Sequence, residues 1–236
     1  MAKKKFTSYM TAGEQIAGTI FFFVYLVVLP FATDPAFRLA ERLLGVSIAD
    51  TLQNVLYYYI LFAVTIVIFH KYIGHTSRRL ADNLNTAAKT LVAGLVGLYG
   101  LNELVYRLSN LLFTNRTNLN DSTISAQIQD APHVTVLIVV LLAPFVEEVL
   151  FRGLVFGNLK FKSRGVAYVL SCALFAALHV WQFAVVNQDV TYFVVMVQYL
   201  VPGFVLAWAY DHSGTLWTSI GLHAAANALA VWTYVL

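Results

Sequence analysis

Residues 135–158 read TVLIVVLLAPFVEEVLFRGLVFGN, a long apolar run that contains two glutamates and one arginine. A helix needs roughly 20 residues to cross the hydrocarbon core of a bilayer, and this run is long enough. A charge near the bilayer centre costs at least ~2.5–3.5 kcal/mol, so ionisable residues within spans usually face the bundle interior and mark functional sites. The stretch therefore predicts a membrane-spanning helix that carries a polar site.

The composition of the whole chain is also that of a membrane protein. Of its 236 residues, 59% are hydrophobic and 11% are charged, which leaves too little polar surface for a water-soluble globule. The net charge of +3 is spread over short basic clusters beside apolar runs. Such clusters are typical of topology signals and not of a nucleic-acid interface. A single cysteine, Cys172, excludes an intrachain disulfide.

The apolar stretches predict the fold class, an all-α membrane protein that forms a bundle of about seven transmembrane helices in one domain, residues 1–236. The stretches are 14–33, 52–70, 88–113, 135–158, 166–186, 191–210 and 215–235. Residues 34–51 alternate apolar and charged positions at helical spacing, which predicts a short interfacial amphipathic helix. Polar residues at 71–87 and 114–134 predict two connections.

The distribution of basic residues predicts the orientation of the chain. With the N-terminus in the cytoplasm and seven spans, one side carries most of them: Lys3, Lys4, Lys5, Lys71, Arg78, Arg79, Lys89, Lys160, Lys162 and Arg164. Arg38, Arg42 and Arg116 fall on the other side. We therefore expect a multi-pass protein of the plasma membrane, with a cytoplasmic N-terminus and the C-terminus outside.

The charged residues of the fourth span have an informative spacing. Glu148 and Arg152 are four residues apart and can pair along one helix face. Glu147 has no such partner, and one helical step of about 100° turns it in another direction. It is thus available as a general base for water, although a purely structural clamp between helices is the alternative. Glu103 and Arg107, also four apart, are expected to form a structural pair.

Two further spans contribute polar residues at matching depth. His179 in the fifth span and Glu147 in the fourth differ by roughly 3 Å along the membrane normal when counted at 1.5 Å per residue. His223 and Asn227 lie four apart on one face of the seventh span, separated by small alanines. Both side chains can donate hydrogen bonds, so the couple is suited to an oxyanion hole.

Together these motifs resemble a known family. The segments EEVLFR at Glu147 to Arg152, FAALH at Phe175 to His179 and HAAAN at His223 to Asn227 resemble the motifs of the CAAX prenyl endopeptidases and bacteriocin-processing or immunity proteins (CPBP), also called Abi-type intramembrane glutamate proteases. The resemblance covers residues 135–235, a predicted four-helix catalytic core. Residues 1–114 form N-terminal spans without a matched motif.

The resemblance implies a function and a role for each residue. Glu147 with His179 would activate water, His223 and Asn227 would stabilise the oxyanion, and Glu148 with Arg152 would order the site, supported by Phe175. No cofactor or catalytic metal is implied. A glutamate and two histidines are also zinc ligands, so a metal-dependent version stays open, although the HExxH spacing is absent. The expected substrate is a hydrophobic peptide or a membrane protein, with or without a prenyl group.

Two other functions are compatible with the same residues. The first is a non-catalytic regulator or immunity protein that acts through a partner membrane protein. The second is a proton-coupled transporter, since intramembrane Glu and His residues also serve as proton relays. All three hypotheses place the protein in the lipid bilayer and none involves nucleic acid.

Overall fold

The computed structural model describes residues 9–112 and 118–235, and within these ranges the chain is helical without a β-strand. Its helices are α1 (Ala12–Leu44), α2 (Asp50–Asp82), α3 (Leu84–Leu112), α4 (Leu119–Asp130), α5 (Pro132–Leu159), α6 (Arg164–Leu178), α7 (Trp181–Val186), α8 (Val190–Ser213) and α9 (Leu216–Val235). The predicted all-α class is confirmed.

The long apolar helices make this a multi-pass membrane protein. Among the described residues, α1, α2, α5 and α8 are long and apolar enough to cross a bilayer, and α6 is a shorter apolar helix. Helices α3 and α9 coincide with two further predicted spans. The count of seven spans stays a prediction. Four of the basic residues on which the predicted orientation is based lie outside the described residues: Lys3, Lys4, Lys5 and Arg116.

Both connections predicted from polarity contain helix. Helix α2 continues to Asp82, so that only Asn83 separates it from α3. Helix α4 occupies most of the predicted loop 114–134, and the side chain of Asn118 caps it by accepting from the N–H groups of Asn120 and Asp121. The predicted amphipathic stretch 34–51 is helical as far as Leu44, as a continuation of α1 that ends at the left-handed Gly45.

A buried carboxylate ties the start of α1 to a kink in α2. Phe69 has non-helical angles, φ −104° and ψ 19°, which interrupts the ladder of backbone hydrogen bonds in α2. The N–H of Tyr72 donates to Glu14 Oε1 at 2.7 Å. Glu14 Oε2 accepts from the backbone N–H and the hydroxyl of Thr11, both at 2.8 Å. Glu14 therefore caps both α1 and the second half of α2.

Two glycines allow the helices to pack closely around this kink. A Cβ atom on Gly18 would lie 2.5 Å from Cζ of Phe69, and one on Gly153 would lie 2.7 Å from Cε1 of Tyr72. Both distances are far below van der Waals contact. Helix α2 is thus held between α1 and α5, the helix that carries the paired glutamates.

The first turn of α9 is anchored to α2 by side-chain hydrogen bonds. Thr76 Oγ1 accepts from the N–H of Leu216 at 2.7 Å, and Thr215 Oγ1 donates to the carbonyl of Thr76 at 2.9 Å. Trp217 Nε1 donates to Ser77 Oγ at 2.8 Å. Because these contacts satisfy backbone groups at a helix start, they fix the position of the helix that carries His223 and Asn227.

The ends of α5, α6 and α8 meet at an ionic cluster. Asp211 forms ion pairs with Arg164 at 2.5 Å and with Lys160 at 3.6 Å. Burial lowers the pKa of Lys160, and the neighbouring Asp211 carboxylate opposes that shift. Arg164 is exposed, so its pair contributes little to stability, whereas the half-buried Lys160 fills the space between the helix ends.

We predict that Glu14→Gln destabilises the protein. A glutamine amide replaces one accepting oxygen by a donor, which leaves a backbone N–H of Thr11 or Tyr72 without its partner. The free energy of unfolding should fall by about 1–3 kcal/mol, measured by thermal unfolding of the purified protein in detergent. The matched control is Glu103→Gln, whose exposed pair with Arg107 should contribute little. Equal effects of the two substitutions would contradict the capping role.

Candidate functional site

Helix α5 is irregular where it carries the predicted site. Two π-helical stretches, Ile138–Leu142 and Val149–Phe156, flank an α-helical turn, Ala143–Glu148. In the first stretch the N–H of Ala143 bonds to the carbonyl of Ile138, five residues back. The next bond of that type would join residue 144 to Val139, but Pro144 has no N–H to donate. The carbonyl of Val139 is therefore left without a partner in its own helix.

Asn227 of α9 supplies the missing partner. Its Nδ2 donates to the carbonyl of Val139 at 2.8 Å. This hydrogen bond joins α9 to the irregular part of α5, about two helical turns before the paired glutamates. One of the two amide hydrogens of Asn227, the predicted oxyanion residue, is thus used to satisfy the backbone of the neighbouring helix.

The Glu148 and Arg152 side chains form a fully buried ion pair. Arg152 Nη1 lies 3.0 Å from Glu148 Oε1, and both side chains are 0% exposed. Arg152 Nη2 donates to the carbonyl of Gly203 in α8 at 3.1 Å. Its guanidinium lies over the ring of Phe175, 4.2 Å from the centroid, in a cation–π contact. The predicted pair is present, and it also joins α5 to α6 and α8.

His223 lies between the two glutamates. Its Nδ1 is 2.9 Å from Glu148 Oε1, and its Nε2 is 4.0 Å from Glu147 Oε2. An ionised carboxylate only accepts, so Nδ1 carries a hydrogen and donates it to Glu148. The tautomer is thereby fixed, and Nε2 is directed at Glu147.

Glu147 is buried on the other side of His223. The residue is 7% exposed, and its Oε2 has no hydrogen-bond partner among the described residues. As the sequence predicts, the two adjacent carboxylates differ: Glu148 is committed to Arg152, and Glu147 is not. Glu148 Oε2 also lacks a partner among the described residues, so the two carboxylates differ in that Oε1 of Glu148 is paired with Arg152 and His223.

His179 closes the end of α6 and has its own fixed tautomer. Its Nδ1 lies 2.9 Å from the carbonyl of Phe175, which only accepts, so Nδ1 donates and Nε2 carries the lone pair. The ring stacks on Tyr199 with centroids 4.3 Å apart. Within the described ranges, no ion pair of 4.0 Å or less joins His179 to either glutamate. The imidazole in contact with the glutamates is that of His223.

Several residues that shape the site carry no motif in the sequence. The carbonyls of Val139 and Gly203 accept from Asn227 and Arg152, and the Tyr199 ring positions His179. Tyr199 is held in turn, because its hydroxyl donates to Asn118 Oδ1 at 3.0 Å. Pro144 was a usable signal for the Val139 carbonyl, since a proline frees an acceptor in the preceding turn. The sequence contained no comparable signal for Gly203 or Tyr199.

The described residues do not include three or more His, Cys, Asp or Glu side chains grouped so as to hold a metal ion. The polar atoms of the site are instead arranged as pairs: Glu148 with Arg152, Glu148 with His223, and Glu147 with His223. The two pairs that include His223 join groups that can exchange a proton, whereas the Arg152 guanidinium stays protonated.

Comparison with known families gives one match. Residues 129–229 match the model described as "Type II CAAX prenyl endopeptidase Rce1-like". The matched range contains all three motifs and begins after α3. Neither the curated proteins nor the solved structures gave a match. Residues 129–229 are therefore similar to the Rce1-like domain, and this match supports the CAAX protease family identified from the motifs.

Proposed function

We propose that the protein is an intramembrane endopeptidase in which Glu147 activates a water molecule to hydrolyse a peptide bond of a hydrophobic or membrane-associated substrate. The observation that carries the proposal is the buried, unpartnered Oε2 of Glu147, 4.0 Å from Nε2 of His223. The match of residues 129–229 to the Rce1-like family supports peptide hydrolysis as the reaction.

The balance of charge supports a single mobile proton in the site. Glu147 and Glu148 bring two potential negative charges and Arg152 brings one positive charge, so neutrality requires one more proton. A low-dielectric interior favours the neutral combination. That proton resides either on Glu147 or on His223. When the proton is on His223, Glu147 is ionised and can act as a base, and His223 Nε2–H can donate a hydrogen bond. A single protonation state therefore makes both groups ready for the reaction.

In the proposed mechanism a water molecule lies between Glu147 and His223. A water oxygen about 2.8 Å from both Glu147 Oε2 and His223 Nε2 would make an angle of about 90° with the two atoms. The lone pair of His179 Nε2 is the third polar group, and we assign it the role of orienting this water by accepting its other hydrogen. The pairing of Glu147 with His179 thus acts through the water molecule.

Hydrolysis then proceeds by general base and general acid catalysis. Water attacks the carbonyl carbon while its proton passes to Glu147, and the carbonyl oxygen becomes an oxyanion. The oxyanion accepts hydrogen bonds from His223 Nε2–H and from the second amide hydrogen of Asn227. As the C–N bond breaks, Glu147 returns its proton to the leaving amine. Glu148 and Arg152 hold His223 in position throughout.

This mechanism is independent of a metal ion, because a carboxylate generates the nucleophile and protein donors stabilise the charge.

We further propose that residues 135–235 form the catalytic core in a plasma-membrane protein whose N-terminus is cytoplasmic and whose C-terminus lies outside. The basic residues near the ends of α2 and α5, among them Arg78, Arg79 and Lys160, support this orientation. The partners of the protein are then a peptide or membrane-protein substrate and the surrounding lipid.

We predict that Glu147→Gln abolishes cleavage and leaves the protein inserted and folded. The amide keeps the shape of the carboxyl group but cannot accept the proton of water. The measurement compares the membrane peptidomes of cells that carry native and variant protein, together with hydrolysis of apolar fluorogenic peptides that contain a prenylated or an unmodified cysteine. Glu103→Gln is the control and should retain activity. Cleavage by correctly inserted Glu147→Gln protein would refute the mechanism. Loss of cleavage by the native protein after metal chelation would also refute it.

Asn227→Ala should lower kcat by about 10²–10³ through loss of an oxyanion donor. It also removes the hydrogen bond to Val139, so stability must be separated from catalysis. Pro144→Ala restores a backbone N–H within reach of the Val139 carbonyl. The double variant Asn227→Ala with Pro144→Ala should therefore regain thermal stability and remain slow. Recovery of native kcat in this double variant would show that Asn227 is structural only.

Arg152→Met should destabilise the protein by about 3–5 kcal/mol, because it leaves the buried Glu148 charge without its main partner. Adding Glu148→Leu removes that charge and should restore most of the stability. The double variant should stay inactive, since His223 loses the carboxylate that fixes its tautomer. Thermal unfolding and peptide hydrolysis are measured on the same preparations, and additive destabilisation by the two substitutions would argue against a coupled pair.

A further inference from the structure

Three tyrosines from outside the Rce1-like domain lie beside Glu147. Tyr25 belongs to α1 and is 6% exposed, and the half-buried Tyr57 and Tyr58 belong to α2. Tyr25 is one turn from Phe22 and Tyr58 is one turn from Phe62, and both of these phenylalanine rings pack against α5. We call these three residues the tyrosine patch.

Ring contacts between the helices account for this placement. Phe22, one turn before Tyr25, packs edge-on against Phe151, one turn after Glu147, with centroids 5.3 Å apart. The N-terminal helix thus runs alongside the part of α5 that carries the glutamates. On the second helix, Phe62 contacts Phe145 at 4.8 Å, two residues before Glu147. Both N-terminal helices therefore flank the same segment of α5.

The hydroxyl groups of the patch have no hydrogen-bond partner in the described part of the chain. In the ranges 9–112 and 118–235, no hydrogen bond joins the hydroxyl of Tyr25, Tyr57 or Tyr58 to another residue, and Glu147 Oε2 is likewise without one. None of the three hydroxyl oxygens is among the fully buried atoms without a partner in the described ranges, so a ligand that enters the site can reach them. Three accessible hydroxyls on the helices that flank Glu147 form a polar surface that can both donate and accept hydrogen bonds.

Resting on the proposed function, we propose that the tyrosine patch is a substrate subsite that binds the extended peptide backbone next to the scissile bond. A peptide must leave its helix to be cleaved, and its N–H and C=O groups then lose their partners at membrane depth, where water does not replace them. A tyrosine hydroxyl donates to a carbonyl and accepts from an N–H. The patch can thus form hydrogen bonds with both backbone groups of the substrate, and its aromatic rings can pack against apolar side chains of the substrate.

This subsite recognises the backbone and therefore requires little of the substrate sequence. It also gives a binding role to helices that carry no family motif. The tyrosines touch substrate and not the transferred proton, so their hydroxyls should affect affinity and not the chemical step. Removing a hydroxyl by Tyr→Phe keeps the ring contacts, including the edge contact of Tyr57 with Tyr58 at 5.1 Å.

The test uses Tyr25→Phe and Tyr58→Phe in the full-length protein, with Tyr59→Phe as the matched control because Tyr59 is 63% exposed. The probe is the apolar fluorogenic peptide with an unmodified or a farnesylated cysteine. Each patch substitution should raise KM about fivefold, the effect of one hydrogen bond, with kcat within about twofold of native and with unchanged thermal stability. Tyr59→Phe should leave both constants unchanged.

Binding of the same fluorescent peptide is also measured in the Glu147→Gln background, where no turnover occurs. Kd should rise by the same factor with each patch substitution. Unchanged KM and Kd in both patch variants, or a loss confined to kcat, would overturn the subsite. Cleavage that survives Glu147→Gln would overturn the proposed function instead, and the binding data would still decide the role of the patch.

Discussion

The guanidinium of Arg152 is the charge around which the site is organised. It is fully buried in an apolar bundle, where an unpaired cation would be prohibitive. Three helices share the task of stabilising it: Glu148 neutralises it, the Gly203 carbonyl accepts from it and the Phe175 ring lies against it. Because Glu148 is bound to this role, the adjacent Glu147 is the carboxylate that forms no ion pair with the arginine. In the proposed mechanism, the identity of the base thus follows from the position of the arginine.

The irregular geometry of α5 explains how residues adjacent in sequence acquire different partners. A regular α-helix turns about 100° per residue, and a π-helical turn widens the ring of backbone bonds. Such turns are common at functional sites because they re-aim side chains and free carbonyls. Here one freed carbonyl, that of Val139, is what brings Asn227 of α9 to the site. The same proline that disturbs α5 therefore fixes the helix that faces it.

The sequence predicted those features that depend on spacing within one helix. The pairing of Glu148 with Arg152 follows from their separation of four, and the free direction of Glu147 follows from the helical step. The contact of His223 with Glu148 did not follow, because the rotation of one helix against another is not encoded in the spacing of either. The helices at 71–82 and 119–130 do not follow from the sequence for a different reason: their polar residues predict a loop, whereas a cap and tertiary contacts stabilise a helix there.

Helices outside the matched range also support the site. The matched range, residues 129–229, contains the proposed reactive groups, but α5 is packed against helices outside that range, against Gly18 of α1 through Leu154 and against Tyr72 of α2 through Gly153. Helix α9 begins on hydrogen bonds to Thr76 of α2. A family motif identifies the residues that take part in a reaction. Holding those residues in a precise geometry requires the residues that pack around them. The N-terminal helices are thus a structural part of the site, because the orientation of Glu147 and His223 depends on where α2 holds α5 and α9.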